Sequence, residues 1–284
     1  MPRKPGPTVL RWKLGRELRE LREAAGVVLR DAAKEIEVQP GTMSKIEAGK
    51  QAIKASYVKL LAAHYGLSDV ERARLLDLVE AANQPGYWVT YSKLVPDWFR
   101  LFLGYEHDAS ALRSYESELV PGLLQTPAYA RAVALANKPN STAAELDSQV
   151  ELRRARQQRL AEPEPPTLHA VINEAVLLRK VGGAEVMAEQ LRHLAVLAEL
   201  PHVTLQVLPF EAGAHPAMTA PFLLMAFDAE PRMNTVYLEN GRGSLYLEKR
   251  ADLNRYQTMF DQLAAMALTP EKTADFLDTV AANL

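Results

Sequence analysis

Gln39-Pro40-Gly41-Thr42-Met43-Ser44-Lys45-Ile46-Glu47-Ala48-Gly49 decides how the first part of this chain folds. Pro40 suits the first turn of a helix, and Gly49 suits its end. Between them only Met43 and Ile46 are large and apolar, three residues apart. A helix of that composition buries a narrow seam and exposes Gly41, Thr42, Ser44 and Lys45.

Working outward, Leu29 to Ile36 fits a shorter helix with Ala32, Ala33 and Ile36 inside. Before it, Leu14, Leu18 and Leu21 recur at three- and four-residue spacing from Leu10 to Ala25, and Gly26 stops that helix. After it, Ser56 to Tyr65 and Ser68 to Ala82 fit two more helices, with Ser68 and Glu71 spaced as a capping box. Two short helices with supporting helices around them describe a helix-turn-helix. Its second helix is polar at its N-terminal end, as a helix that reads base edges in the major groove must be. A helical protein-interaction domain is the rival reading of the same pattern.

The composition bounds the rest. The chain has 284 residues, 48% apolar and 24% charged, which suggests about two folded domains. Its apolar runs are shorter than the ~18–20 residues of a membrane span. The basic start Met1-Pro2-Arg3-Lys4-Pro5 is followed by no apolar signal core. With no cysteine, disulfides, thiolate nucleophiles and cysteine-bound metals are excluded. This fits a cytoplasmic protein, associated with the nucleoid when bound to DNA. The net charge of −2 speaks against a nucleic-acid partner only until it is divided along the chain. Residues 1–60 hold 13 basic and 7 acidic residues, or +6, and the remainder holds 20 and 28, or −8. A basic module suits phosphate and an acidic one avoids it, although a surface excess of Lys and Arg also serves plain solvation.

The stretch Leu18 to Ile53 resembles the Cro/repressor-like, or XRE-type, DNA-binding domain. The resemblance is carried by Leu18-Arg19-x-Leu21-Arg22, by Ala32-Ala33, and by Thr42-Met43-Ser44-Lys45-Ile46-Glu47-x-Gly49. It implies that Gln39, Gly41, Thr42 and Lys45 meet base edges, and that Ser44, Lys50 and Lys54 touch the phosphate backbone, with Arg30 a further backbone contact. It also implies a buried ion pair between Arg22 and Glu47. Where the family usually has a capping Ser or Thr, this chain has Gln39.

Residues 84–98 join the two parts. Gln84-Pro85-Gly86 breaks the fifth helix, and Tyr87-Trp88-Val89-Thr90-Tyr91 with Pro96-Asp97-Trp98-Phe99 is too aromatic for a flexible tether, so a packed linker is expected. The expected domains are therefore 1–83 and 99–284. The second reads as α+β with a small mixed sheet. Helices fit Asp97 to Tyr115, Pro127 to Leu135 (capped by Thr126), Thr142 to Leu160, Ala184 to Leu200, Lys249 to Leu268 and Pro270 to Ala282. Strands fit Leu168 to Ile172, Val203 to Leu208, Pro221 to Phe227 and Thr235 to Glu239, with a turn at Asn240-Gly241.

Residues 100–284 resemble the C-terminal domain of the actinobacterial WhiJ-like, antitoxin-like XRE regulators. The markers are Leu119-Val120-Pro121-Gly122-Leu123-Leu124-Gln125-Thr126-Pro127-x-Tyr129-Ala130-Arg131, Arg153-x-x-Arg156-Gln157, Asn173-Glu174-Ala175-x-Leu177, Val181-Gly182-Gly183, Gln190-Leu191 and Val207-Leu208-Pro209-Phe210. This resemblance implies regulation through a small partner protein encoded nearby.

No catalytic or metal motif emerges: there is no His-Glu-x-x-His, no Gly-x-Ser-x-Gly and no phosphate-binding Gly-rich loop. The expectation is a non-enzyme with no cofactor and no metal. The residues put forward as a ligand or partner surface are Arg153, Arg156, Glu174, Phe210 and His215. Each has a plainer reading: a solvated helix face for the arginines, a cap or salt bridge for Glu174. The expected function is a sequence-specific transcriptional regulator that binds double-stranded DNA as a homodimer on a dyad-symmetric operator, without a membrane partner. Its rivals are an antitoxin-like adaptor that sequesters a partner and a repressor that answers a small-molecule effector.

Overall fold

The computed structural model describes residues 5–91 and 95–284. The basic start at residues 1–4 and positions 92–94 of the expected linker lie outside the described residues. Among the described residues, five helices lead the chain: α1 (Pro7–Ala24), α2 (Leu29–Glu35), α3 (Pro40–Glu47), α4 (Ala55–His64) and α5 (Asp69–Ala82). Their apolar faces meet in one core of Leu14, Leu18, Ala33, Ile36, Met43, Ile46, Val58, Leu61, Leu75 and Val79. The helix-turn-helix pair thus rests on the three helices around it. Gly49 ends α3 with φ +69°, and its α-carbon lies so close to the backbone of Trp12 that any Cβ would collide. Both demands select glycine. Ser68 and Glu71 form the expected capping box of α5.

The chain divides into two compact units that interleave. The helical unit takes the chain up to Val89, then Arg100–Asp108 and Ala229–Met233; the sheet unit takes Thr90–Phe99, Ala109–Asp228 and Asn234–Leu284. Within the helical unit the later pieces secure α1. Asp108 Oδ2 accepts from the backbone N–H groups of Thr8 and Val9 at 2.9 and 3.0 Å. These are free donors of a helix start that has no cap of its own. The Arg232 guanidinium stands 5.6 Å from the Trp12 ring centre and is bonded to Glu230 at 2.8 Å, with Glu20 at 3.6 Å. The first residues of the expected linker form a 3-10 turn at Tyr87–Tyr91, and Tyr87 packs edge-on against His107.

The expected helix over 97–115 is corrected. Helix α6 (Asp97–Asp108) ends earlier, and Ala111–Glu116 is strand β1. The reason is pairing on both sides: Tyr115 stands opposite Val171 on one neighbour and Phe222 on the other, so β1 satisfies its backbone as a central strand. The other strands are β2 (Thr167–Asn173), β3 (Val203–Leu208), β4 (Phe222–Ala226), β5 (Thr235–Asn240) and β6 (Gly243–Leu247). Their order is β3-β2-β1-β4-β5-β6, parallel among the first three and antiparallel among the rest. The expected turn at Asn240-Gly241 is the tip of the β5–β6 hairpin, and β6 is a strand that the reading of the sequence omitted.

Helices α7 (Pro127–Asn137), α8 (Ala143–Gln157), α9 (Glu174–Leu178), α10 (Ala184–Ala198), α11 (Arg250–Met266) and α12 (Pro270–Ala282) complete the unit. Helix α11 covers one sheet face through Phe260 and Leu263 on Tyr115, Phe222, Leu224 and Val236. Scattered pieces of the second resemblance meet in one hydrogen-bonded turn. Gln125 donates to the carbonyl of Val120, Gln157 donates to the carbonyls of Gly122 and Gln125, and Gln190 bridges the Thr126 N–H and the Leu124 carbonyl.

Candidate nucleic-acid interface

Helix α3 is amphipathic over two turns. Met43, Ile46 and Glu47 point into the helical unit, while Gly41, Ser44 and Lys45 share the exposed side and Thr42 is half-buried. Gln39 is the N-cap and its side chain makes no capping bond, so it stays exposed beside the first turn. The turn into α3 is tight: Glu37 is left-handed at φ +55°, and Val38 N–H donates to the carbonyl of Ala33.

Arg30 is exposed in the first turn of α2. Lys50 and Lys54 are exposed in the connection from α3 to α4, the second as the N-cap of α4 with its ammonium 5.5 Å from the Tyr57 ring centre. The structure therefore brings Gly41, Ser44 and Lys45 to one side of α3, with Gln39 exposed at its N-cap. Arg30 comes from the preceding helix, and Lys50 and Lys54 from the loop that follows. A Lys ammonium offers a point charge to phosphate, and Lys45 has the reach and donors to bond guanine O6 or N7.

What holds α3 in place is a buried pair. Arg22 Nε donates to Glu47 Oε1 at 2.6 Å and a terminal nitrogen donates to Oε2 at 3.0 Å, while another reaches the Val27 carbonyl at 2.9 Å. The bond to Glu47 holds the Arg22 guanidinium above its ordinary pKa, against the opposing effect of burial. The fork fixes both the distance and the roll of α3 against α1.

The surface put forward in the sheet unit separates into two places. Glu174 Oε2 accepts from the Phe210 N–H at 2.7 Å, so it caps the turn after β3, with Phe210 exposed beside it. His215 Nε2 is 3.2 Å from the Tyr115 hydroxyl, its Nδ1 accepts from the Ala217 N–H, and burial lowers its pKa. Glu174, Phe210 and His215 thus gather where β1, β2 and β3 end. Arg153 and Arg156 lie on α8 against Gly122. Arg156 is corrected from a surface residue to a buried one: it is 7% exposed, with its guanidinium over the Phe99 ring. A further group went unnoticed in the sequence. Burial of the Glu116 carboxyl, with Glu239 adding to the effect and Arg153 opposing it, pushes its pKa up to about 8. Glu116 and Tyr115 alternate across β1, which sets the arginines and His215 on opposite sheet faces. The signal for Glu116 was that alternation, once β1 is known to be a strand.

Among the described residues no helix is long and apolar enough to cross a membrane, and no cluster of three His, Asp or Glu side chains is placed to hold a metal. Residues 99–279 match the family model described as "Domain of unknown function (DUF5753)", and residues 13–75 match one described as "Helix-turn-helix domain". Neither a curated protein nor a solved structure matches the chain.

Proposed function

The chain belongs to the DUF5753 family and carries a helix-turn-helix domain ahead of that region, and from this premise we propose that it is a sequence-specific DNA-binding transcriptional regulator of the XRE type. The observation that carries the reading is α3: a short helix locked from behind by Arg22 and Glu47, presenting Gln39, Gly41, Ser44 and Lys45 outward. In this reading Gln39, Gly41, Thr42 and Lys45 contact bases, and Arg30, Ser44, Lys50 and Lys54 contact phosphates. One such module covers only a few base pairs, so the regulator binds as a homodimer with half-sites one helical turn, about 34–36 Å, apart. Control comes through the sheet unit and a small partner protein, as in the WhiJ-like, antitoxin-like group. The reading assigns the chain no catalysis and no cofactor.

The test is selection of bound duplexes from a random pool by the purified full-length chain. The expected product is an inverted repeat, enriched by the natural sequence and depleted by Lys45→Ala. Equal recovery of all sequences by both proteins overturns the proposal.

A further inference from the structure

The layer between α11 and the sheet is not evenly filled. Under the middle of the helix, Phe260 and Leu263 lie on Tyr115, Phe222 and Val236. Toward the start of the helix the sheet offers Ala111 opposite Ala226, two side chains too short to reach it. A cavity of about 190 Å³ opens there. These alanines and Leu253 are among its apolar lining, and the rest of the lining includes polar side chains from the helix and the sheet. Arg250 and Asn254, one turn apart on α11, line it together with Arg113 of β1 and Asn234 just before β5. Among the described residues no carboxylate lines it.

The polar lining is arranged rather than merely basic. Arg113 is held by two contacts: one guanidinium nitrogen donates to Asp261 at 3.0 Å, and its Cζ lies 5.0 Å from the Phe260 ring centre. A guanidinium carries five donors, so one bond to Asp261 leaves others to turn toward the cavity. Asn234 accepts from the Phe227 N–H through Oδ1, which leaves its NH₂ as the half that a ligand can meet. Gln257 also lines the cavity, and its amide, like that of Asn254, can donate or accept. The charged groups of the lining are the two guanidiniums, so a body that fits short alanines with an anionic head that accepts from them is an aliphatic carboxylate. The volume is below the ~300–1,000 Å³ of sites for drug-sized ligands, so the body is only a few carbons long.

We propose that this cavity binds a small aliphatic carboxylate, with its anionic head between Arg113 and Arg250 and its chain over Ala111 and Ala226. The site does not depend on the DNA-binding reading. It is measured without DNA, and failure of either leaves the other standing.

The test is titration of the full-length chain, followed by ligand-observed NMR, with butyrate, its neutral isostere butyramide, and inorganic phosphate. For a ligand this small, saturation is expected at about millimolar concentration. Butyramide should bind at least about tenfold more weakly, because it forfeits the charge-assisted bonds. Arg250→Ala, at an exposed helix start, should weaken butyrate by a similar factor. Ala226→Leu should exclude it by filling the cavity, with thermal unfolding of both variants serving as the control for folding. The proposal is overturned if butyrate and butyramide bind alike, if phosphate alone binds, or if butyrate binds both variants as it binds the natural sequence.

Discussion

Two basic stretches of this chain behave in opposite ways. In the helical unit Arg30, Lys45, Lys50 and Lys54 all stand exposed. In α8 and the turn after it, Arg156 and Arg159 are buried, at 7% and 4% exposure. Arg159 donates to the Glu164 carbonyl at 2.6 Å and pairs with Glu162 at 3.3 Å, and Arg156 lies over Phe99. The one strongly buried cation of the helix-turn-helix is again an arginine, Arg22. The buried cations named here are all arginines, although Arg30 and Arg154 show that an arginine can also stand exposed. A guanidinium is planar, weakly hydrated and offers a fixed fork of donors, so it survives burial among carbonyls, carboxylates and rings. An ammonium keeps its water and suits a surface that awaits phosphate. A run of positive charge therefore says little about function until its members are sorted into Lys and Arg and into faces.

That contrast can be broken or sharpened by substitution. The largest effect is expected from Glu47→Ala, which strands Arg22 without its partner. Unfolding in urea should show a loss of about 3–5 kcal/mol, and a loss below about 1 kcal/mol would mean that the pair does not hold α3. Lys45→Ala should leave unfolding unchanged while weakening binding to a selected operator by about 1–3 kcal/mol. Gel-shift titrations that match the natural sequence would remove Lys45 from the interface. Arg156→Lys should lower the stability of the sheet unit by about 1 kcal/mol, because an ammonium cannot reproduce the guanidinium's contact with Phe99. Lys45→Arg, its counterpart on the exposed side, should stay within about 0.5 kcal/mol in the same melts. The smallest effect is expected from Lys50→Ala: affinity for all sequences falls together, and the slope of log affinity against log salt drops by about one.

Legibility differs between the units for physical reasons. The helices of the first unit are local structures whose caps and apolar spacing are written in neighbouring residues, so α1 to α5 were readable to within a few positions. So was α3 as the exposed element, although a sequence gives no view of whether its side chains touch DNA. In the sheet unit, β2, β3, β4 and β5 are rich in Val, Leu and Phe and were legible. Strand β1, Ala-Leu-Arg-Ser-Tyr-Glu, has no such bias. It is a strand because β2 and β4, far along the chain, pair with it. Strand β6 was available: an Asn-Gly turn with Leu238 before it and Leu245 and Leu247 after it is a hairpin signal. The burial of Arg156 also had a trace, since it lies midway between Leu152 and Leu160 on one helical stripe. The carboxylate cavity had none, because two alanines on different strands and an arginine on a helix share no local pattern.

The interleaving of the two units bears on how the protein is made. Synthesis proceeds from the N-terminus at about 5–20 residues per second. The helix-turn-helix sequence leaves the ribosome early, yet Asp108, which caps α1, and Arg232, which lies by Trp12, are separated by a further stretch of chain. Translating from Asp108 to Met233 takes roughly 6–25 s at that rate. During that interval the nascent chain carries every residue of α3 but lacks the segment that stands beside Trp12. A polypeptide released before residue 229 is left permanently in that state. The last piece of the helical unit is thus supplied only after strands β1 to β4 have been translated, which ties its completion to synthesis of much of the sheet unit.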